Sequence, residues 1–372
     1  MIKIGITGQG GFIGKHLFNT IGLYPHEFER IPFKSSFFEN ESGLDAFVLQ
    51  CDVIVHLAAM NRHNDPSVIY SINTGLVKTL IASLERTGNK AQVIMSSSSQ
   101  EDRDNLYGRS KKEGRELLAQ WANRSNASFT GMVIPNVFGP FGHPYYNSVV
   151  ATFCHKLTHN ETPEIDVDGQ LKLIYVGELV EVILNQVKNK CNQNLFPVAH
   201  TKEIKVTEIL TLLEGYREQY LKLGIIPILK DRFEVNLFNT FRCYMDIKNH
   251  YPVKYIKNTD QRGAFVEVIK LNVGGQVSFS TTIAGITRGN HFHTRKIERF
   301  SVIKGNALIQ LRQIGTTECF DLYLNGTEPS YVDMPVWYTH NIKNIGTEDL
   351  YTIFWINEFY DANDPDTFFE TV

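Results

Sequence analysis

Short β-branched runs alternate with longer amphipathic stretches over the first third of the chain. Residues 2–7, 53–57 and 92–96 are apolar runs, and residues 12–23 and 72–86 repeat their apolar positions with a helical period. A strand-like run followed by a helix-period segment, repeated, predicts βαβ units and a parallel sheet with helices against its faces. The mixed texture continues with a strand at 131–134 and helices at 178–188 and 206–222, so one α/β domain is expected over residues 1–245. Asn249-His250-Tyr251-Pro252 breaks the pattern. Beyond it, runs at 265–271, 276–282, 298–303, 307–313 and 350–356 are separated by Gly and Asn turns. That spacing predicts an all-β sandwich or barrel over residues 259–372, joined to the first domain by a linker at 246–258.

The chain has 372 residues, enough for two or three cores, and its 42% hydrophobic and 12% aromatic content describes a packed soluble protein. With 37 Lys and Arg against 40 Asp and Glu, the net charge of -3 supplies no basic field for nucleic acid or for an anionic membrane. No apolar run approaches the ~18 residues of a membrane span, and the N-terminus has none of the marks of a signal peptide, so no membrane insertion is expected. The five cysteines are far apart and form no C-x-x-C pair, which predicts reduced thiols in a cytoplasmic protein.

Candidate chemistry begins at the first strand's end, in Thr7-Gly8-Gln9-Gly10-Gly11-Phe12-Ile13-Gly14. Gly8 permits a tight turn, Gly11 lets backbone N–H groups approach a pyrophosphate, and Gly14 lets the helix pack close to the strand, with Phe12 and Ile13 opening that helix. Leu57-Ala58-Ala59, small residues after a strand, leave room for the same dinucleotide. Specificity should reside near the end of the second strand, where Lys34, with Arg30 as a weaker candidate, suits a 2′-phosphate and favours NADPH. A second group follows another strand: Ser96, Ser97, Ser98 and Ser99, then Tyr107 four residues before Lys111. On a helix those two share a face, so the Lys111 ammonium is expected to lower the phenol's pKa and make Tyr107 an acid–base group near neutral pH.

These residues carry a resemblance. The T-G-x-x-G-x-x-G loop, His56-Leu57-Ala58-Ala59, Asn73, the serine strand end, Tyr107-Gly108-Arg109-Ser110-Lys111 and Pro135-Asn136-Val137-Phe138-Gly139-Pro140 fall in the order seen in the extended short-chain dehydrogenase/reductases of the sugar-nucleotide epimerase and dehydratase group. The resemblance implies a Rossmann-type doubly wound sheet and a nucleoside diphosphate sugar as substrate. It implies that Tyr107 moves the proton, that Lys111 supports it, and that Ser98 (or Ser97) holds the substrate carbonyl oxygen, with Ser97 near the cofactor. It also places residues 147–157 and Lys172 around the nucleotide diphosphate.

In the β region, Gly285, His291, His293, Glu298 and Gly305 stand at the spacing G-x5-H-x-H-x4-E-x6-G, and His340 lies in Pro335-Val336-Trp337-Tyr338-Thr339-His340 before Asn344. His291 and His293 alternate on a strand and point to one side, where Glu298 can return to the same ion. Three imidazoles and one carboxylate suit Zn, Fe, Ni or Mn, with zinc the first expectation. The first string resembles the first cupin motif at every fixed position, which implies a cupin barrel. The second departs from the cupin pattern, because Trp337 stands where glycine is usual. Arg288-Gly289-Asn290-His291 also resembles the R-G-x-H string of cupin epimerases in which the histidine is a base, and a metal-bound His291 cannot be that base.

The whole chain resembles bifunctional capsular polysaccharide enzymes. The resemblance implies C3 epimerisation of a UDP-4-keto-6-deoxy-N-acetylhexosamine in the cupin domain. Reduction at C4 with NADPH in the first domain then gives a UDP-6-deoxy-talosamine-type sugar en route to UDP-N-acetyl-L-fucosamine. Rival readings are a single-activity reductase with the cupin as a dimerisation module, a redox-neutral epimerase with tightly held NAD, and a non-catalytic NADPH-binding regulator. Pairing of cupin edge strands predicts a homodimer through residues 259–372.

Overall fold

The apolar runs of the first half become the strands of one six-stranded, fully parallel sheet. In chain order the elements are β1 (Ile2–Thr7), α1 (Phe12–Ile21), β2 (Phe28–Ile31), α2 (Glu41–Gln50), β3 (Val53–His56), α3 (Pro66–Thr87), β4 (Gln92–Ser98), α4 (Leu106–Ser125), β5 (Phe129–Ile134) and β6 (Asn136–Phe138). They are followed by α5 (Val149–Thr158), β7 (Gln170–Tyr175), α6 (Val176–Lys188), β8 (Gln193–Pro197) and β9 (Lys202–Lys205). The large sheet has the order β2-β1-β3-β4-β5-β8, and β6, β7 and β9 form a small second sheet. Alternation along each strand divides the apolar side chains between two faces. Ile54, Val93 and Met95 join Phe47 of α2, Leu80 of α3 and Trp121 of α4 in one core. Val53, Val55 and Ile94 join Leu17 of α1 and Ile183 of α6 in the other. The doubly wound Rossmann-type architecture follows directly from the strand pattern.

The computed structural model describes every residue except Arg262, and the chain divides into two compact units, residues 1–149 with 169–205 and residues 150–168 with 206–372. Helix α3 has the length and apolarity of a membrane span, but Ile69, Val77, Leu80, Ile81 and Leu84 are buried in the protein. One side of that helix is core.

In the second unit, α7 (Val206–Tyr216), α8 (Arg232–Arg242) and α9 (Ile247–His250) precede the strands β10 (Val253–Lys254), β11 (Lys257–Asp260), β12 (Gly263–Val266), β13 (Gln276–Thr282), β14 (Thr287–Phe292) and β15 (Glu298–Lys304). The chain continues through β16 (Asn306–Gln313), β17 (Cys319–Asn325), β18 (Ser330–Met334), β19 (Tyr338–Asn344), β20 (Leu350–Ile356) and β21 (Phe368–Phe369). Two five-stranded antiparallel sheets result, in the orders β10-β18-β15-β20-β13 and β17-β16-β19-β14-β21, with β11 and β12 as a separate hairpin. Among the described residues the β region therefore has the antiparallel all-β architecture expected.

The division of the chain differs from 1–245, 246–258 and 259–372, because residues 206–245 are bonded to the β region. Asn239 Nδ2 donates to Arg295 O at 2.7 Å, and Arg242 Nη2 donates to Met334 O at 2.6 Å. Tyr220 Oη donates to Asp333 Oδ2 at 2.7 Å, and that carboxylate pairs with the buried Arg299 guanidinium at 2.7 Å. Composition reads these helices as α/β texture, whereas their polar faces are built for the sheet that follows them.

Candidate functional site

Gly8 has φ +75°, and a Cβ there would lie 2.7 Å from Ala58 N, so the glycine turn and the segment after β3 touch backbone to backbone. A Cβ on Gly14 would lie 2.3 Å from Gly8 O, so this glycine packs the helix onto the loop's own carbonyls. Gly10 meets nothing within 4 Å. The α1 N-terminus thus opens into a cavity of about 730 Å³. Gly8, Gly11, Phe12, Ile13, Gly14, Leu57, Ala58, Ala59, Ser97, Ser98, Tyr107 and Lys111 all line it. Buried Asn73 fixes one wall, accepting from Met60 N at 2.7 Å and donating to Ser110 Oγ at 3.0 Å on α4. Its role needs the tertiary contact, which a single Asn in a helix pattern does not reveal.

Lys34 is exposed and does not line the cavity, whereas its neighbours Phe33 and Ser35 do. Arg30 turns away and stacks on the Phe18 ring at 4.6 Å. The cation expected beside a ribose phosphate is therefore not brought to the cavity by either side chain.

Tyr107 and Lys111, one helical turn apart on α4, both reach the cavity, and the Tyr107 hydroxyl is hydrogen-bonded to Ser98. Of the two serines considered for the carbonyl oxygen, Ser98 faces the phenol, while Ser97 donates its hydroxyl to Glu101. Lys111 is fully buried, with Nζ 3.5 Å from Ser96 Oγ, and burial brings its pKa down to about 8 while the Glu101 carboxylate opposes the fall. Burial pushes the Tyr107 phenol up, and Ser98 partly offsets this. The expectation that Lys111 lowers the phenol's pKa is thereby corrected: burial raises it, and the lowering influence is the Ser98 hydroxyl. His56, behind Lys111, shares a 2.7 Å hydrogen bond with Thr7 and is held neutral, its pKa lowered to about 3 by burial and by the lysine's charge.

In the second unit, His291, His293, Glu298 and His340 offer ligand atoms that all lie within 4.8 Å of one another. His293 Nε2 and His340 Nε2 lie 3.2 and 3.3 Å from Glu298 Oε2. The other nitrogen of His293 meets Asp366 O, and that of His340 meets Tyr338 O at 3.3 Å, so both rings are oriented from behind as metal-binding imidazoles are. Buried His340 Nε2 faces only the Glu298 carboxylate, without good hydrogen-bond geometry, and a cation between the two would satisfy both. Burial, then the neighbouring imidazoles, lower the pKa of His291 to about 4, the neutral state a ligand needs. Glu298 is held well below the usual carboxylate range by the two histidines despite its burial. The donor set fits a divalent cation. Trp337, which stands in place of the usual glycine, adopts φ +62°, its N–H donates to His293 O at 2.8 Å, and its ring stacks on Phe292. The departure from the motif leaves His340 in place, because tryptophan takes the left-handed conformation itself.

Residues 4–195 match the NAD dependent epimerase/dehydratase family, and residues 258–368 match the polysaccharide biosynthesis C-terminal domain. A UDP-2-acetamido-2,6-beta-L-arabino-hexul-4-ose reductase of Pseudomonas aeruginosa is 30% identical over 373 residues, covering 99% of this chain and 98% of that protein. The crystal structure of the capsular polysaccharide assembling protein CapF from Staphylococcus aureus aligns over all of both chains with 33% identity and a TM-score of 0.63. The NADPH complex of RMD from Pseudomonas aeruginosa shares the fold, with a TM-score of 0.53 at 18% identity over 59% of this chain and 83% of that one.

Proposed function

Since the chain belongs to the NAD dependent epimerase/dehydratase family and is similar over nearly its whole length to a UDP-4-keto-sugar reductase, we propose that it reduces such a ketone at C4 with NADPH after epimerising C3. The substrate proposed is a UDP-4-keto-6-deoxy-N-acetylhexosamine, and the product is a precursor of UDP-N-acetyl-L-fucosamine for capsular polysaccharide. The observation that carries the reading is the meeting of Ser98, Tyr107 and Lys111 in one cavity beside the glycine cradle.

When bound, NADPH supplies the hydride. Gly8, Gly11 and Gly14 keep the backbone open for the pyrophosphate at the α1 N-terminus, with Phe12, Ile13, Leu57, Ala58, Ala59 and Ser97 forming the walls. The Ser98 hydroxyl orients the C4 oxygen, and the Tyr107 O–H gives its proton to that oxygen as negative charge develops there. Lys111 holds a positive charge in the same cavity and would bind the nicotinamide ribose.

His291, His293, Glu298 and His340 would hold a divalent cation, zinc in our reading, whose chemistry is to polarise a substrate oxygen and so acidify the neighbouring C–H. A 4-keto group already acidifies C3, so the second unit is assigned the epimerisation and reduction traps its product.

The test is incubation with the 4-keto sugar in deuterated water, first without and then with NADPH, followed by NMR at C3 and C4. Deuterium at C3 without NADPH, then NADPH-dependent reduction at C4, is the expected result. Reduction of C4 with the C3 proton retained would reduce the protein to a single-activity reductase.

A further inference from the structure

Between β4 and α4 lies a buried ion pair that the proposed reduction does not use. The Arg115 guanidinium, on the third turn of α4, grips Glu101 with Nε at 2.9 Å from Oε1 and Nη2 at 2.8 Å from Oε2. Both side chains are almost wholly buried, at 8% and 5% exposure. Arg115 also donates to Asn194 O at 3.2 Å, and its stem crosses Gly131 so closely that a Cβ there would lie 2.5 Å from Arg115 Cγ. The glycine is the space through which the arginine reaches.

Glu101 in turn accepts the Ser97 hydroxyl. The backbone then closes a turn on the next residue: Glu101 N donates to Ser98 O at 3.0 Å, and Gln100 N donates to Ser98 Oγ at 3.2 Å. From the other side the first turn of α4 presses on the same segment, because a Cβ on Gly108 would lie only 2.0 Å from Gln100 O. Neighbouring side chains on a strand point to opposite faces. An anchor on Ser97 therefore fixes the roll of the strand end, and with it the direction in which Ser98 points.

We propose that Glu101, clamped by Arg115, is a positioning residue that anchors Ser97 and thereby aims Ser98 at Tyr107. The proposal rests on the reading of Ser98 and Tyr107 as the pair that handles the C4 oxygen. Neither Glu101 nor Arg115 lines the cavity, so the effect on Ser98 is transmitted through Ser97, beside the carboxylate's electrostatic support of the Lys111 charge.

The test compares E101Q, which keeps an acceptor but breaks the charge pair, with S97A, which leaves the pair intact and removes the hydroxyl it holds. Small misplacements of reacting groups reduce turnover steeply, so kcat for C4 reduction is expected to fall ~10-fold or more in each. NADPH affinity of E101Q, read by fluorescence titration, stays within about twofold, as for a residue outside the cofactor site. The double variant is no slower than the slower single, since both changes cut one link. Amide exchange of residues 98–101 is expected to accelerate in both variants.

Additive losses in the double variant, or wild-type kcat in S97A, would overturn the proposal, and a merely structural pair would lower only the melting temperature of E101Q. A wild-type protein that reduces no 4-keto sugar would defeat the proposed function instead. The exchange measurement then decides alone: faster exchange at 98–101 supports the anchor, and unchanged exchange removes it.

Discussion

Lys111 keeps its charge where charge is hardest to keep. Burial lowers its pKa from 10.5 to about 8, and the unfolded chain binds that proton more tightly. Between about pH 8 and 10.5 the unfolded state therefore carries the extra proton, and this group makes stability rise with pH, by on the order of 3 kcal/mol across the window. Activity runs the other way. The ammonium proposed to support Tyr107 is present below about pH 8 and lost above it, so kcat/KM for the proposed reduction should fall with a single proton's slope above that pH. The phenol lies above its ordinary value and titrates later. A pH–rate profile of wild type against Lys111→Arg checks this, with the falling limb moved to higher pH in the variant. The meeting of Tyr107 and Lys111 in one cavity was legible because they lie one helical turn apart, a relation the chain itself states. The phenol's pKa was not legible, because burial is set by residues distant in sequence. The placement of Lys34 was not legible for a related reason: a lysine near a strand end is visible, but the direction of its side chain is not.

At the scale of elements, the cradle's glycines are unequal. A Cβ at position 14 would meet Gly8 O at 2.3 Å, whereas one at position 10 meets nothing. Gly14→Ala should weaken NADPH binding by ~10-fold or more through displaced backbone, while Gly10→Ala should leave it within about twofold, as isothermal titration of each would report. In the second unit the ligands come from β14, β15 and β19 and the turn after β14, so a cation would tie these strands together. At a cation concentration ~1,000-fold above Kd the gain is about 4 kcal/mol, a melting shift on the order of 10 °C. Chelation should remove that shift, zinc should restore it, and His293→Ala should show neither change in a calorimetric scan. Strand-type runs bounded by polar and glycine turns read β13 and β20 to the residue, as 276–282 and 350–356. The same pattern placed a strand at 265–271 where β12 runs from Gly263 to Val266, since Val268, Ile269 and Leu271 carry no stop signal where the pairing ends.

At the scale of the whole molecule, β13 is a sheet edge whose outward side chains Val277 and Phe279 are 59% and 73% exposed. Apolar edges of this kind associate. The full chain should therefore run as a homodimer in size-exclusion with light scattering, and Phe279→Asp should halve the mass. A monomeric wild type would overturn the expected pairing through the β region.

The interleaving of the two units also limits how this protein can be taken apart. Residues 150–168 belong with 206–372, while 169–205 return to the first unit, so no single cut separates the two without severing one of them. A break at 245, where the composition changes, would take Tyr220 away from Asp333 and Arg242 away from Met334, leaving a buried carboxylate short of a donor. The two proposed chemistries are thus not modular in the genetic sense: a single break is expected to disrupt at least one unit, so selective loss of one proposed activity is expected by substitution rather than by deletion.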